Sequence, residues 1–466
     1  MNDSYDFIVI GGGSAGYAGA SAAVGLGMST LVVEGGREVG GLCILRGCMP
    51  SKTLLETGHR AAAIREAAEF GLHAEYIGPN PAVIVARKRR LIAEFADYRR
   101  GQLESGRFDF ARGRAEFVDA HTIDIRLQDG GVKRVEGRAF LIATGSRIGG
   151  PKIDGLDDAG FWTSDDVLDA ATIPESVCVL GGGAIALELA SYYAGLGILT
   201  TVVQRSAQLL KEMDADVANS LADALEKRGI EIFRETKLQR VTKGDAGKTV
   251  HFEQRGEART VTAAQIIYAL GRVPAVDGLA LDRAGVKNER CIVASATQQT
   301  NVPHLFAAGD VCSPLEVVHI AIQQGELAAR NAARVLGKLD GELEYMDYAL
   351  KLFAVFTHPE VAAAGLTERE CAAQGTDHIA ATYLFADHGK AMVRGATDGF
   401  VKLIADRKTR RLIGGACVGA EASELIHEIV VALRFGATAA QLAATPHYHP
   451  TLSEIWTYPA EELAGV

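Results

Sequence analysis

Phe7–Gly16 reads FIVIGGGSAG: four apolar residues, three glycines, then small residues leading into an alanine-rich stretch. The order predicts a short strand, a tight turn and a helix. Gly11 makes the turn, Gly13 leaves room for a pyrophosphate, and Gly16 lets the helix pack on the strand. A second strand is expected over Thr30–Val33, ending at Glu34, whose carboxylate is placed for ribose hydroxyls. The same unit recurs further on, with a strand over Val177–Leu180, the turn Gly181, Gly182 and Gly183, Ala186 in place of the third glycine, and a strand over Leu199–Val203. Glu34 follows Gly11 by 23 positions and Gln204 follows Gly181 by 23, so a glutamine stands where the second ribose-binding acid would be. Two dinucleotide-binding folds are expected, hence an α/β protein.

Gly40–Lys52, GGLCILRGCMPSK, lies between the two units and carries two cysteines five apart. In a straight helix their Cα atoms would be roughly 8.6 Å apart, beyond the 7 Å or so that a disulfide spans. Bridging Cys43 and Cys48 therefore needs a deformed backbone at Gly47. Pro50 suits the first turn of a helix through Ser51, Lys52 and Leu55, whose positive end favours a thiolate at Cys48. A strained bridge ending in a stabilised thiolate is readily reduced, which predicts a redox centre.

A redox disulfide beside the first dinucleotide fold suggests FAD there and a nicotinamide nucleotide at the second. With Gln204 in place of the acid, and Arg205 and Lys211 close behind, NADP(H) is favoured over NAD(H), since a 2′-phosphate is repelled by a carboxylate and attracted by cations.

The 466 residues, 48% hydrophobic, are enough for two to four domains with their own cores. Acidic residues number 58 against 48 basic ones, and the sequence pI is near 5.7, so neither nucleic acid nor an anionic membrane is an expected partner. Arg87, Lys88, Arg89 and Arg90, beside Leu91, Ile92 and Phe95, read as the solvated face of an amphipathic helix. Seven dispersed cysteines argue against a secreted disulfide framework. There is no basic leader and no apolar run of the ~18 residues a membrane span needs. The expectation is a soluble cytoplasmic protein.

From about residue 341 the chain turns to strand-like segments, Leu350–Phe356, Gly399–Ala405 and Leu412–Gly419, and then to a helix over Glu424–Phe435. The stretch Thr445–Glu454, TPHYHPTLSE, offers a histidine with a glutamate five beyond it. His449 and Glu454 can form a pair in which the acid fixes the tautomer and raises the basicity of the imidazole, as a base for thiol deprotonation requires.

The cysteine segment resembles the active-site region of the class I pyridine nucleotide-disulfide oxidoreductases, the flavoprotein disulfide reductases. It departs from their usual wording at Leu42, Leu45 and Arg46. The resemblance spans nearly the whole chain and is nearest to the dihydrolipoamide dehydrogenase type, through H-x-H-P-T-L-S-E at 447–454 and Thr357–Glu360. It implies two Rossmann-like domains, for FAD and NAD(P), plus a C-terminal α+β dimerisation domain: an FAD-binding domain over 1–150 with a return segment at 275–340, an NAD(P)-binding domain over 151–274, and an interface domain over 341–466. It implies that Cys43 exchanges with substrate and Cys48 faces the flavin, that Thr144 and Gly145 close the FAD domain, and that Gly271 borders the nicotinamide domain. Gly309 and Asp310 fall in the second FAD segment, Asp310 bonding the ribityl chain, with His319 a few residues on. Glu188 pairs with Lys52 beside the flavin, Gly181 and Gly183 hold the nicotinamide nucleotide, and Arg205 and Lys211 fall where NADPH-using members carry arginines. No metal site is implied, and the last cysteine, Cys417, argues against a mercury-binding terminal pair. The implied assembly is a homodimer in which His449 reaches the disulfide of the opposite subunit, acting on a dithiol or disulfide, with a lipoylated carrier protein as candidate partner. The rival readings are an NADPH-dependent reductase of a low-molecular-weight disulfide and a redox-sensing flavoprotein with vestigial chemistry.

Overall fold

In the computed structural model, which describes residues 1–150, 152–312 and 315–465, the first strand is β1 (Ser4–Ile10). Phe7 and Val9 join one apolar cluster, Ile8 and Ile10 another, so both faces are buried and the strand is apolar throughout rather than alternating. β1 pairs in parallel with β2 (Thr30–Glu34), Ile8 opposite Leu31, and with β5 (Val132–Ile142), Ile8 opposite Phe140. β3 (Asp109–Phe117) runs parallel to β2, and β4 (Thr122–Leu127) is antiparallel to both β3 and β5. Leu305–Ala307 adds to β5 in parallel, Ala307 opposite Ile142. The turns that begin at Gly11, Ala143 and Ala308 therefore leave the sheet side by side, at the carboxyl ends of its strands, where open α/β sheets bind ligands.

Helix α1 (Ser14–Gly25) lies against the helix Val318–Val335 at very short range. A Cβ on Gly325 would stand 2.1 Å from the Ala15 carbonyl oxygen, so only glycine fits that crossing. Two short helical segments follow β2, α2 (Gly41–Leu45) and then α3 (Cys48–Arg65), and α4 (Pro81–Leu103) precedes β3. On α4, Arg87, Arg89 and Arg90 are exposed, as the sequence suggested, but Lys88 is only 3% exposed and is turned inward. The solvated face is thus narrower than expected.

Backbone contacts divide the chain into two compact units, one made of Met1–Ser51, Ala86–Gly150 and Gly271–Asp347, the other of the remaining described residues. Segment 52–85, assigned above to the first domain, groups with the second unit. There a Cβ on Gly195 would lie 2.7 Å from the Gly58 carbonyl oxygen. Residues 271–274 group with the first unit, where Arg272–Pro274 pairs with Ser146–Ile148.

The second unit repeats the strand–glycine–helix pattern in a parallel sheet ordered Ile230–Phe233, Leu199–Val203, Ser176–Leu180, Gln265–Tyr268, Trp162–Thr163. Its last part is an antiparallel sheet ordered Leu352–Val355, Glu360–Gly365, Leu412–Gly419, Phe400–Asp406, His378–Leu384, covered by the helix Ala422–Arg434 and by the fully buried Trp456. Lys402, 1% exposed, ties this sheet to the start of the helix Ala215–Lys227 and to the start of the helix Glu368–Gln374: its Nζ lies 2.9 Å from Asp214 Oδ2, 2.8 Å from Asp216 Oδ2 and 2.9 Å from Glu368 Oε2. An ammonium so enclosed is tolerated because three carboxylates surround it. The architecture is the expected one: two Rossmann-like folds and a C-terminal α+β domain. Among the described residues no helix is long and apolar enough to cross a membrane.

Candidate active site

The first glycine turn is built by close approach. Gly11 has φ +108° and a Cβ there would lie 2.4 Å from the Ala143 carbonyl oxygen; at Gly16 it would lie 1.8 Å from the Gly11 oxygen. At Gly13 the nearest atom would be Gly41 Cα, 3.8 Å away, so this is the glycine that leaves space. Gly13 also starts α1 without a side-chain cap, which leaves N–H groups pointing at that space. Glu34 sits at the end of β2 with Oε2 accepting from Gly12 N–H at 2.8 Å and Oε1 from Gly36 N–H at 2.6 Å, which fixes its carboxylate over the turn.

The cysteine segment lies against this turn. Gly41 has φ +74°, and a Cβ there would be 2.6 Å from Gly13 Cα. The backbone between the cysteines is no single helix: α2 ends at Leu45 and α3 begins at Cys48. What Gly47 supplies is the missing Cβ rather than a left-handed φ, since a Cβ would be 3.0 Å from the Leu42 oxygen and 3.2 Å from Cys43 Cα. The chain thus folds back over Cys43 just before Cys48. Both cysteines are half-buried, and Cys48 is the first residue of α3, at its positive end.

Thr144 follows β5, and its Oγ1 is enclosed without a hydrogen-bond partner. Asp310 Oδ2 accepts from Ser146 Oγ at 2.7 Å, and that hydroxyl accepts from Arg272 Nε at 2.8 Å. Gly309, at φ +78°, donates its N–H to Gln324 Oε1 at 2.8 Å, and His319 is half-buried in the first turn of the helix Val318–Val335.

In the second unit, Gly181 repeats Gly11: φ is +126° and a Cβ would lie 2.4 Å from the Ala269 carbonyl oxygen, while a Cβ on Gly183 would meet nothing within 4 Å. A Cβ on Gly271 would likewise meet nothing. Gln204 stands over Gly182 as Glu34 stands over Gly12. Arg205 and Lys211 are exposed, and Lys211 Nζ is 3.5 Å from Glu212 Oε1, a solvent-screened pair.

Lys52 and Glu188 meet. Nζ lies 3.0 Å from Oε1 and 2.9 Å from Oε2, and 4.5 Å from the centre of the Phe356 ring. Glu188 Oε1 also accepts from Phe356 N–H at 3.1 Å, so one carboxylate positions both the lysine and the residue just past the strand Leu352–Val355. His449 Nδ1 lies 3.0 Å from Glu454 Oε2, and the imidazole side chain is 81% exposed. The other Glu454 oxygen is 3.4 Å from Nε2 of the fully buried His388, a close approach without hydrogen-bond alignment. Burial lowers the His388 pKa, which keeps that ring neutral next to the acid. Sequence reading missed His388, which lies 66 positions before Glu454 and carries no motif. His447 pairs with Glu428 instead, Nε2 to Oε1 at 2.7 Å.

Residues 5–325 match the family profile described as pyridine nucleotide-disulphide oxidoreductase, and residues 353–460 match its dimerisation domain. The chain belongs to the pyridine nucleotide-disulphide oxidoreductase family. It is 32% identical to a dihydrolipoyl dehydrogenase of Geobacillus stearothermophilus, over 98% of this chain and 96% of that protein. It is also 32% identical to a mercuric reductase of Bacillus cereus, over 97% of this chain and 70% of that protein. The fold is shared with the HOCl-induced flavoprotein disulfide reductase RclA from Escherichia coli, solved as a Cu(II) complex, at TM-score 0.84 and 24% identity over 99% of this chain and 100% of that one. This family member is an oxidoreductase working with FAD and a pyridine nucleotide. Its own residues fit both: each glycine turn has one glycine open to a pyrophosphate, and the unpartnered Thr144 Oγ1 sits at the mouth of the first crevice.

Proposed function

We propose that this chain is an FAD-dependent dithiol–disulfide oxidoreductase of the dihydrolipoyl dehydrogenase type, working as a homodimer in the cytoplasm. The observation that carries this reading is the His449–Glu454 pair. The carboxylate accepts from Nδ1–H and leaves Nε2 of an exposed imidazole as a base, in a chain that also has two cysteines at a helix start. In the oxidised enzyme, with Cys43 and Cys48 bridged, His449 takes the proton of a substrate thiol, and the thiolate attacks Cys43 Sγ and breaks the Cys43–Cys48 bond. Cys48 leaves as a thiolate, stabilised at the positive end of α3. The second substrate thiolate attacks the substrate sulfur bound to Cys43, releasing the oxidised disulfide and leaving two electrons on the cysteine pair. FAD, when bound, supplies the two-electron carrier between that pair and NAD(P). Lys52, held by Glu188, offers a fixed cation one turn after Cys48 on the same helix. Thr144, Gly145, Gly309, Asp310 and His319 are assigned to FAD binding, and Gly181, Gly183 and Gly271 to the nicotinamide nucleotide. A lipoylated carrier protein is the candidate dithiol.

A second reading, an NADPH-driven reductase of a small disulfide, is favoured by one observation: the position over Gly182 holds Gln204, followed by the exposed Arg205 and Lys211. Turnover of dihydrolipoamide with NAD+ and NADP+, against reduction of small disulfides by NADPH, separates the two. Anaerobic two-electron titration of the FAD protein tests both: a long-wavelength thiolate-to-flavin absorption is expected. Simple flavin bleaching would instead mean a nucleotide-binding sensor.

A further inference from the structure

Arg99, on α4, is a cation without a carboxylate partner among the described residues. Its guanidinium lies over the Tyr17 ring of α1, 4.1 Å from the ring centre. Nε and Nη1 are enclosed with no hydrogen-bond partner, and the nearby Asp97 pairs with Arg100 instead. Tyr17 stands one helical turn after Gly13, against which Gly41 of the cysteine segment packs. Burial lowers the pKa of the guanidinium, and Tyr17, Cys43 and Tyr98 act on its charge in the opposite sense. Guanidinium groups are seldom left like this, because enclosing donors without acceptors is costly and a planar fork of N–H groups matches a carboxylate. The same two helices carry two more enclosed polar atoms without partners, Ser21 Oγ and Gln102 Oε1. Ser21 is four residues after Tyr17 on α1, and Gln102 three after Arg99 on α4, so each shares a helix face with the stacked pair.

We propose that Arg99, stacked on Tyr17 one helical turn from where the cysteine segment packs on α1, is a specificity-determining residue that binds a carboxylate carried by the thiol or disulfide substrate. The proposal rests on the oxidoreductase reading and adds a substrate class to it: acidic small thiols and their disulfides, in preference to neutral ones of the same shape. Tyr17 holds the guanidinium plane, and Gln102 offers an acceptor to a donor on the same ligand. The cation also raises the local concentration of anionic reagents at Cys43.

Two measurements on the FAD-loaded dimer test this. In the first, 3,3′-dithiodipropionate and its neutral diamide are reduced with NAD(P)H. The wild type should show a KM for the diacid lower by about tenfold or more, the factor expected of one charge-assisted contact. Equal KM values in the wild type would overturn the proposal. In the second, the two-electron-reduced enzyme is alkylated with iodoacetate and with iodoacetamide, and modification of Cys43 is followed by peptide mass spectrometry. The ratio of the two rates should fall by about tenfold in Arg99→Gln and be largely kept in Arg99→Lys. An unchanged ratio in Arg99→Gln would overturn the proposal, and so would an equal slowing by both reagents, which would mean that Arg99 acts on the Cys43 thiolate rather than on the incoming anion. Absence of turnover with both disulfides and with dihydrolipoamide would sink the oxidoreductase reading, and the alkylation ratio would still decide the role of Arg99.

Discussion

Lys52 Nζ is held between both carboxylate oxygens of Glu188, 136 positions away in the chain, at 3.0 and 2.9 Å. Glu188 is 7% exposed and Lys52 31%, so water screens this ion pair from one side only. Glu188→Ala leaves an ammonium and the Phe356 N–H without their acceptor. A loss of about 1–3 kcal/mol is expected, below that of a fully enclosed pair. Urea unfolding of the apoprotein measures it, and a loss within error of zero would remove the pair from the stability of the fold.

Cys43→Ser should abolish thiol turnover while leaving a Cys48 thiolate that absorbs at long wavelength with oxidised flavin. The reason is position: Cys48 begins α3, at its positive end, whereas Cys43 lies in the preceding short helix. If Cys48→Ser gave that absorption instead, the two roles would be exchanged.

Nucleotide preference should depend on Arg205 and Lys211. Both are exposed, and Lys211 has only a screened neighbour in Glu212, so both cations are available to a 2′-phosphate. Replacing both with alanine should raise the KM for NADP(H) about tenfold or more and leave that for NAD(H) nearly unchanged. Equal effects on the two nucleotides would refute the assignment, as would a wild-type preference for NAD(H).

Acid should destabilise the second unit through His358. Burial, with Arg228 and His59 nearby, pushes its pKa down to about 3, and burial also lowers that of His59, whose ring centre is 5.1 Å away. Because the folded pKa lies below the unfolded one, the neutral rings contribute fully above pH 6.5, and stability falls as pH drops from there towards 3. The slope for one such group is at most about 1.4 kcal/mol per pH unit. His358→Gln should flatten the fall in urea midpoint between pH 6.5 and 5, and parallel curves for the two proteins would exclude the effect.

Assembly can be read from mixed dimers. If His449 serves the cysteine pair of the other subunit, a Cys43→Ser chain combined with a His449→Ala chain restores one working site, about half the wild-type activity per dimer by symmetry. Proven heterodimers that stay inactive would put the whole site within one subunit.

The sequence by itself determined the two dinucleotide folds, because their signals are local: an apolar strand, glycines at fixed offsets and a residue over the turn, Glu34 or Gln204, at the same spacing. It also predicted the break between Cys43 and Cys48, which follows from helix geometry, and the His449–Glu454 pair, which needs only five residues. The meeting of Lys52 with Glu188 came into the reading through family resemblance, since no local rule joins positions so far apart. Only the tertiary structure decided the rest. The burial of Lys88 depends on which way α4 rolls against its neighbours, and the contact of His388 with Glu454 depends on strands pairing across the C-terminal sheet. Arg99 carries no sequence motif that singles it out. It became a candidate recognition group only when folding laid it over Tyr17, near where the cysteine segment packs on α1, because an unpaired charge has meaning only once its surroundings have been assembled.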